Sequence, residues 1–201
     1  MIVRGAGSLT VPGAGPPAYV SDWYYPLNSG VMDPGTTTLT TTDTRLYYIP
    51  FYVFQSVSID LLAAYNSGVG DSGDDIRLGI YSHHASYGPR TLKVDFGEVS
   101  LTGAAAALVP TADETSLTRG WWWAAVHCNG AADMYAMRSR IASGYLLRGG
   151  QEFGLPALNS ATLDDVNYFP YVDKTYAAMS STATAPTTCT SIVPKLFFKV
   201  T

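Results

Sequence analysis

Apolar residues recur at every second position in four separate stretches of this 201-residue chain, and that period limits its possible folds more than any other feature. In 57–66 the series is Val57, Ile59, Leu61, Ala63 and Tyr65, with Ser58, Asp60 and Asn66 on the alternate positions. In 75–82 it is Ile76, Leu78 and Ile80, with Arg77, Gly79 and Tyr81 outward; 91–99 continues with Leu92, Val94 and Phe96, and 194–200 with Leu196, Phe198 and Val200. A period of two puts alternate side chains on opposite faces of an extended strand, whereas a helix stripe needs 3.6. Each stretch therefore predicts a short strand with one apolar face. Turn signals such as GVGDSGD at 68–74 separate them, the spacing of an antiparallel sandwich.

Composition agrees. Hydrophobic residues make up 47% and charged residues only 14%, with Gly, Pro, Thr, Ser and Tyr plentiful, which favours strands and turns over exposed helices. A net charge of −4 with scattered Lys and Arg gives no basic groove for nucleic acid. No apolar stretch reaches membrane-spanning length. The start, MIVRGAGSLTVPGAGPPAY, interrupts any apolar run with Gly and Pro, so the expectation is a soluble chain made in the cytoplasm without an export signal. Cys128 and Cys189 permit at most one bridge.

The expected organisation is an extended arm with a Thr-rich linker over 1–44, then a sandwich domain over 45–201 with a long irregular excursion at about 141–190. Pro50 inside RLYYIPFYVFQ points to an edge strand or a bulge, and 103–112 to a crossover with some strand. Asn129-Gly130 predicts a tight hairpin between GWWWAAVHC and ADMYAMRSR.

Most apparent motifs for chemistry have a plainer reading. Gly68 to Gly73 matches GxGxxG, but a strand follows where a pyrophosphate site needs a helix N-terminus. Asp71, Asp74 and Asp75 in that loop read as an acidic turn, because the spacing of a calcium loop is missing. His83 and His84 are adjacent and so point apart on an extended chain; with His127 they do not make a zinc set. Asp164–Asp165 and Asp113–Glu114 are sequence neighbours, which does not place two carboxylates across a cleft. The expectation is a protein without catalysis, metal or cofactor.

The run Trp121-Trp122-Trp123 is the most distinctive stretch. Trp122, Ala124, Val126 and Cys128 form the better core face, which leaves Trp121, Trp123, Ala125 and His127 on the other. Two projecting indoles are too much apolar surface to leave wet, so the chain itself, a neighbouring subunit or a stacked sugar ring should cover them. Loop HHASYGPR offers His83, His84, Tyr87 and Arg90 for surface contact. The aromatic group Trp23, Tyr24 and Tyr25 is the anchor expected for docking the arm on a partner.

Three segments together, RLYYIPFYV, DIRLGIYSHHASYGPRTLKVDFGEVSLTG and SLTRGWWWAAVHCNGAADMYAM, resemble a jelly-roll-like β-sandwich of bacteriophage fibre, spike and appendage proteins. The pattern lies on Arg77 to Tyr81, Pro89, Leu92, Asp95, Gly97, Leu117 and Gly120 to Ala125. The resemblance implies a virion surface component, often a homotrimer, with capsid, tail or fibre proteins as partners. It also implies carbohydrate-binding-module-like recognition of host glycans as the alternative, with Trp121, Trp123, His83, His84, Tyr87 and Arg90 as the residues to carry it.

Overall fold

The computed structural model describes residues 19–27, 38–68, 70–71, 73–84, 88–102, 107–138, 169–186, 188–190 and 192–201. Among them there are strands and no helix. In chain order the strands are β1 Tyr24–Pro26, β2 Thr38–Thr40, β3 Arg45–Val53, β4 Val57–Ala64, β5 Asp75–His84, β6 Gly88–Ser100, β7 Ala107–Leu117, β8 Gly120–Cys128, β9 Asp133–Arg138, β10 Phe169–Asp173, β11 Thr188–Thr190, β12 Ile192–Pro194 and β13 Leu196–Val200.

Every strand pairing among the described residues is antiparallel. A four-stranded sheet, β1-β13-β4-β7, packs on a six-stranded sheet, β11-β10-β3-β8-β5-β6, and a small sheet β12-β9-β2 lies alongside. The chain passes repeatedly between layers: β3 to β4, β4 to β5, β6 to β7 and β7 to β8 each change sheet. The fold is thus an all-β antiparallel sandwich of jelly-roll-like character. Its core is made by the alternating residues: Ile49, Phe51 and Val53 of β3, Ile76, Leu78 and Ile80 of β5, and Ala124, Val126 and Cys128 of β8 meet Ile59 and Leu62 of β4 and Leu196, Phe198 and Val200 of β13.

Two bulges change the expected phase. Asp60 is an extra residue in β4, since Lys199 pairs with Leu61 and Val200 with Ile59. Beyond it the alternation inverts, so Leu62 and Ala64 enter the core while Leu61 is half-buried and Tyr65 exposed. Lys93 does the same in β6: Ile80 pairs with Val94 but Tyr81 with Leu92, which turns Leu92 to the outer face.

The predicted hairpin at Asn129-Gly130 is not formed. Strand β8 pairs with β3 and β5, whereas β9 pairs with β2 and β12, so Asn129-Gly130 is a connector from one sheet to another. The Asn129 side chain is used against the chain instead: Asp75 N–H donates to its Oδ1 at 2.5 Å, and its Nδ2 donates to Asp75 Oδ2 at 3.1 Å. A Cβ at Gly130 would fall on the Asp74 carboxylate, so any side chain there would have to displace it. That carboxylate also accepts from Asp71 N–H at 2.8 Å, closing the acidic turn.

The segment 1–44 is not wholly an arm outside the sandwich. Strand β1 pairs with β13, β2 pairs with β9, and Leu27 is buried in the core. Residues 1–18 and 28–37 lie outside the described residues. Within the expected excursion, β10 lies beside β3 and β11 beside β10, and residues 141–168 lie outside the described residues. Ladder β10–β3 covers Arg45 to Tyr47, so Pro50 lies beyond its end, although β3 is an interior strand.

Candidate functional site

The outer face of the six-stranded sheet is built by the residues that the core alternation leaves over. Leu46 and Tyr48 of β3, Tyr81 of β5, Trp123 and Ala125 of β8, and Val172 of β10 form a second apolar cluster there, capped by Met179. The cap is the chain's own stretch from β10 to Thr184, fastened by hydrogen bonds to several strands. Tyr81 OH donates to Ser180 O at 2.9 Å, Leu92 N–H to Ser181 O at 2.9 Å, and Ala183 N–H to Arg90 O at 2.7 Å. Met179 N–H donates to Asp95 Oδ2 at 3.1 Å, an oxygen that also accepts from Arg77 Nη1 at 2.9 Å.

Trp123 is therefore 0% exposed. Its indole cannot stack on a sugar, because stacking needs a ring face open to solvent; the expected sugar role is corrected here by the cap. His83 goes with it: the imidazole stacks on Trp123 with ring centroids 6.2 Å apart and accepts the indole Nε1–H on Nδ1 at 3.0 Å. His83 thus supports the buried face from its edge. His84 closes β5 opposite Gly88, Arg90 is exposed on β6, and Tyr87 lies outside the described residues.

Trp121 differs. It is 37% exposed and continues the same face beyond the cap. Strand register brings Tyr52 opposite it, with ring centroids 5.2 Å apart and nearly perpendicular, and Phe54 lies 5.3 Å from Tyr52. Arg119 Nε donates to Tyr52 OH at 3.4 Å. The more exposed end of the face is thus an aromatic cluster with one guanidinium. Tyr52, Phe54 and Arg119 were not singled out by sequence; their link to Trp121 depends on the β3–β8 register, which the linear text does not contain. Trp122 is the inward member, half-buried, with its Nε1–H on Thr118 O at 2.9 Å.

Two further exposed aromatics sit at the head of an edge strand of the four-stranded sheet, Trp23 just before β1 and Tyr24 at its first residue. Trp23 is 62% and Tyr24 48% exposed. Main-chain bonds hold them: Asp22 N–H donates to Val200 O at 2.7 Å and Val200 N–H to Trp23 O at 3.1 Å. Tyr25 is corrected from partner anchor to internal anchor, since it stacks on Phe198 at 5.7 Å, meets Tyr19 edge-on at 4.9 Å, and accepts Val20 N–H on its hydroxyl at 2.7 Å.

Buried titratable groups in and behind this face are held neutral. Burial pushes the Cys128 thiol up to about 12 and the Tyr81 phenol up to about 12. His127 is fully buried under Tyr176, its Nε2–H donating to Lys174 O at 3.0 Å; burial lowers its pKa, that hydrogen bond opposes the shift, and the positive charges of Lys174 and Arg77 add to the lowering. Cys128 is a free thiol. Among the described residues no three His, Cys, Asp or Glu side chains converge as metal ligands. Asp113 and Glu114 are exposed neighbours on β7, and Asp164 and Asp165 lie outside the described residues. What the arrangement offers is rigid aromatic surface for contact. No protein-family model matches the chain, and no curated protein matches it.

Proposed function

We propose that the protein is a structural component of a bacteriophage virion, a tail or head fibre, spike or decoration subunit that acts by binding and carries out no chemistry. The observation that carries this reading is the pair Trp23 and Tyr24, exposed at consecutive positions at the head of an edge strand, where main-chain bonds to β13 already fix the backbone. Large aromatics held in place bury much area on association with little further loss of freedom, which is the physical profile of an interface anchor. The resemblance carried by Arg77 to Tyr81, Asp95, Gly97 and Gly120 to Ala125 supports the virion setting. Its partners would be capsid, tail or fibre proteins and further copies of the chain, a trimer being the arrangement that the resemblance implies, after synthesis in the host cytoplasm.

The experiment supplies the chain to assembling particles either without residues 1–18 or as Trp23→Ala/Tyr24→Ala, with circular dichroism as the check on folding. Truncation stops before Tyr19 because Tyr19, Tyr25 and Leu27 pack on the core. Both variants should fold, and the double substitution should be missing from purified particles. Incorporation of that variant at the wild-type ratio would refute the anchor role, and absence of the wild-type chain from particles would refute the virion role.

A second reading, recognition of host-surface glycans, is favoured by the Tyr52–Trp121–Phe54 cluster with Arg119 beside it. A glycan array probed with wild type and Trp121→Ala decides it: binding lost in the variant supports the reading, and no binding by the wild type removes it.

A further inference from the structure

A separate aromatic groove lies where the four-stranded and three-stranded sheets meet. It has a volume of about 280 Å³ and is lined by Tyr65, Tyr135, Ala136, Lys195 and Phe197. Each wall comes from a different part of the chain: Tyr65 follows β4, Tyr135 and Ala136 belong to β9, Lys195 joins β12 to β13, and Phe197 lies in β13. Main-chain bonds lock these pieces together, with Tyr135 N–H on Tyr65 O at 2.9 Å and Lys195 N–H on Tyr135 O at 2.9 Å. The rings are accordingly positioned before any ligand arrives. Tyr65 meets Phe197 edge-on at 5.7 Å, and Lys195 Nζ lies 5.4 Å from the centre of the Phe197 ring.

The charge in this groove has the opposite sign to that of the chain. The protein carries −4 overall, yet among the described residues the charged side chain lining the groove is an ammonium, that of Lys195. Lys195 makes no ion pair among the described residues. Asp133, on the same face of β9 as Tyr135, does not line the groove, and its carboxylate accepts from the Thr40 hydroxyl at 2.5 Å. We infer that this groove binds an acidic saccharide, a hexuronic acid ring laid on the tyrosine and phenylalanine walls with its carboxylate on Lys195.

Three features favour that ligand. The C–H face of a pyranose ring is apolar and matches an aromatic wall, while the two phenols can donate to and accept from sugar hydroxyls. The ammonium supplies a charge-assisted bond to the carboxylate. The volume lies near the lower limit for small-ligand sites, roughly 300 Å³, which suits a short saccharide better than a peptide needing an extended track. The site is remote in sequence from Trp121 and from Trp23, and it does not rest on the virion reading.

The test is calorimetric titration of the full chain with a galacturonic acid trisaccharide, with the same trisaccharide as its methyl ester, and with a triglutamate peptide. The acid form should bind more tightly than the ester. Lys195→Gln should weaken the acid form roughly tenfold, the loss expected for one charge-assisted hydrogen bond, and leave the ester unchanged. Tyr135→Ala, at an exposed ring, should weaken both saccharides. No saturable binding of the acid trisaccharide, equal affinity for acid and ester, or an unchanged affinity in Lys195→Gln would overturn the inference. Triglutamate binding at least as tight as the trisaccharide would overturn it in favour of an acidic peptide.

Discussion

The Trp123 indole donates its Nε1–H to His83 Nδ1 at 3.0 Å while the two rings lie stacked, 24° from parallel. A carrier of the acceptor role at Nδ1 must hold its proton on Nε2 when neutral, so this bond fixes the tautomer of His83. The pair closes one edge of the outer aromatic face.

Removing either partner tests how much that face contributes. Trp123→Ala should destabilise the fold by about 3–5 kcal/mol, the range for deleting a large buried aromatic. His83→Ala should cost about 1–3 kcal/mol, since it withdraws an acceptor from a buried donor. The two effects should be less than additive in a double-mutant cycle read by urea unfolding, and strict additivity would show that the pair does not act together.

His127 gives the face a dependence on pH. Its lowered pKa means that the folded chain holds the imidazole neutral where the unfolded chain would protonate it. The resulting stability is complete above the ordinary histidine value of 6.5 and is lost as the pH falls through the folded value. His127→Gln should flatten that part of the stability profile between wild type and variant, as measured by thermal melts across acidic pH. An unchanged slope would remove His127 as its source.

Asp95 ties the cap to the sheet. One oxygen serves Arg77 and Met179 N–H, and the other accepts Gly97 N–H at 2.9 Å at a left-handed glycine in β6. Asp95→Ala should cost about 1.5–3 kcal/mol, the range for hydrogen bonds to charged groups. Limited proteolysis should then cut first in 174–184, because the cap loses a main-chain anchor there while the core β5–β8 ladder remains intact. Cleavage in β5 or β8 ahead of the cap would contradict this.

Much of the sandwich was legible in the text. Ile76, Leu78 and Ile80, and again Leu196, Phe198 and Val200, point inward as their alternation predicts, because a regular pleat carries its own phase. Phase was lost at Asp60 and Lys93, where one extra residue reverses the faces and leaves no mark in composition. Asn129-Gly130 misled because its turn preference is local, whereas strand partners are chosen by burial across the whole layer. The split among the tryptophans was half visible: alternation separated Trp122 from Trp121 and Trp123, but only the distant stretch 172–184 decides that Trp123 is sealed and Trp121 is not. Trp23, Tyr24 and Tyr25 look alike in sequence, and pairing of β1 with β13 sends Tyr25 onto Phe198 while its neighbours face out.

The chain buries Trp123 beneath its own stretch 174–184, and the proposed role of the exposed Trp23 and Tyr24 is contact with a partner. Hydroxyl-radical footprinting read by mass spectrometry, on the isolated chain and on the purified particle, measures this directly. Trp23 and Tyr24 should be oxidised readily in the isolated chain and shielded in the particle, with Trp123 shielded in both. Equal oxidation of Trp23 and Tyr24 in the two states, or oxidation of Trp123 as fast as that of Trp23 in the isolated chain, would contradict it.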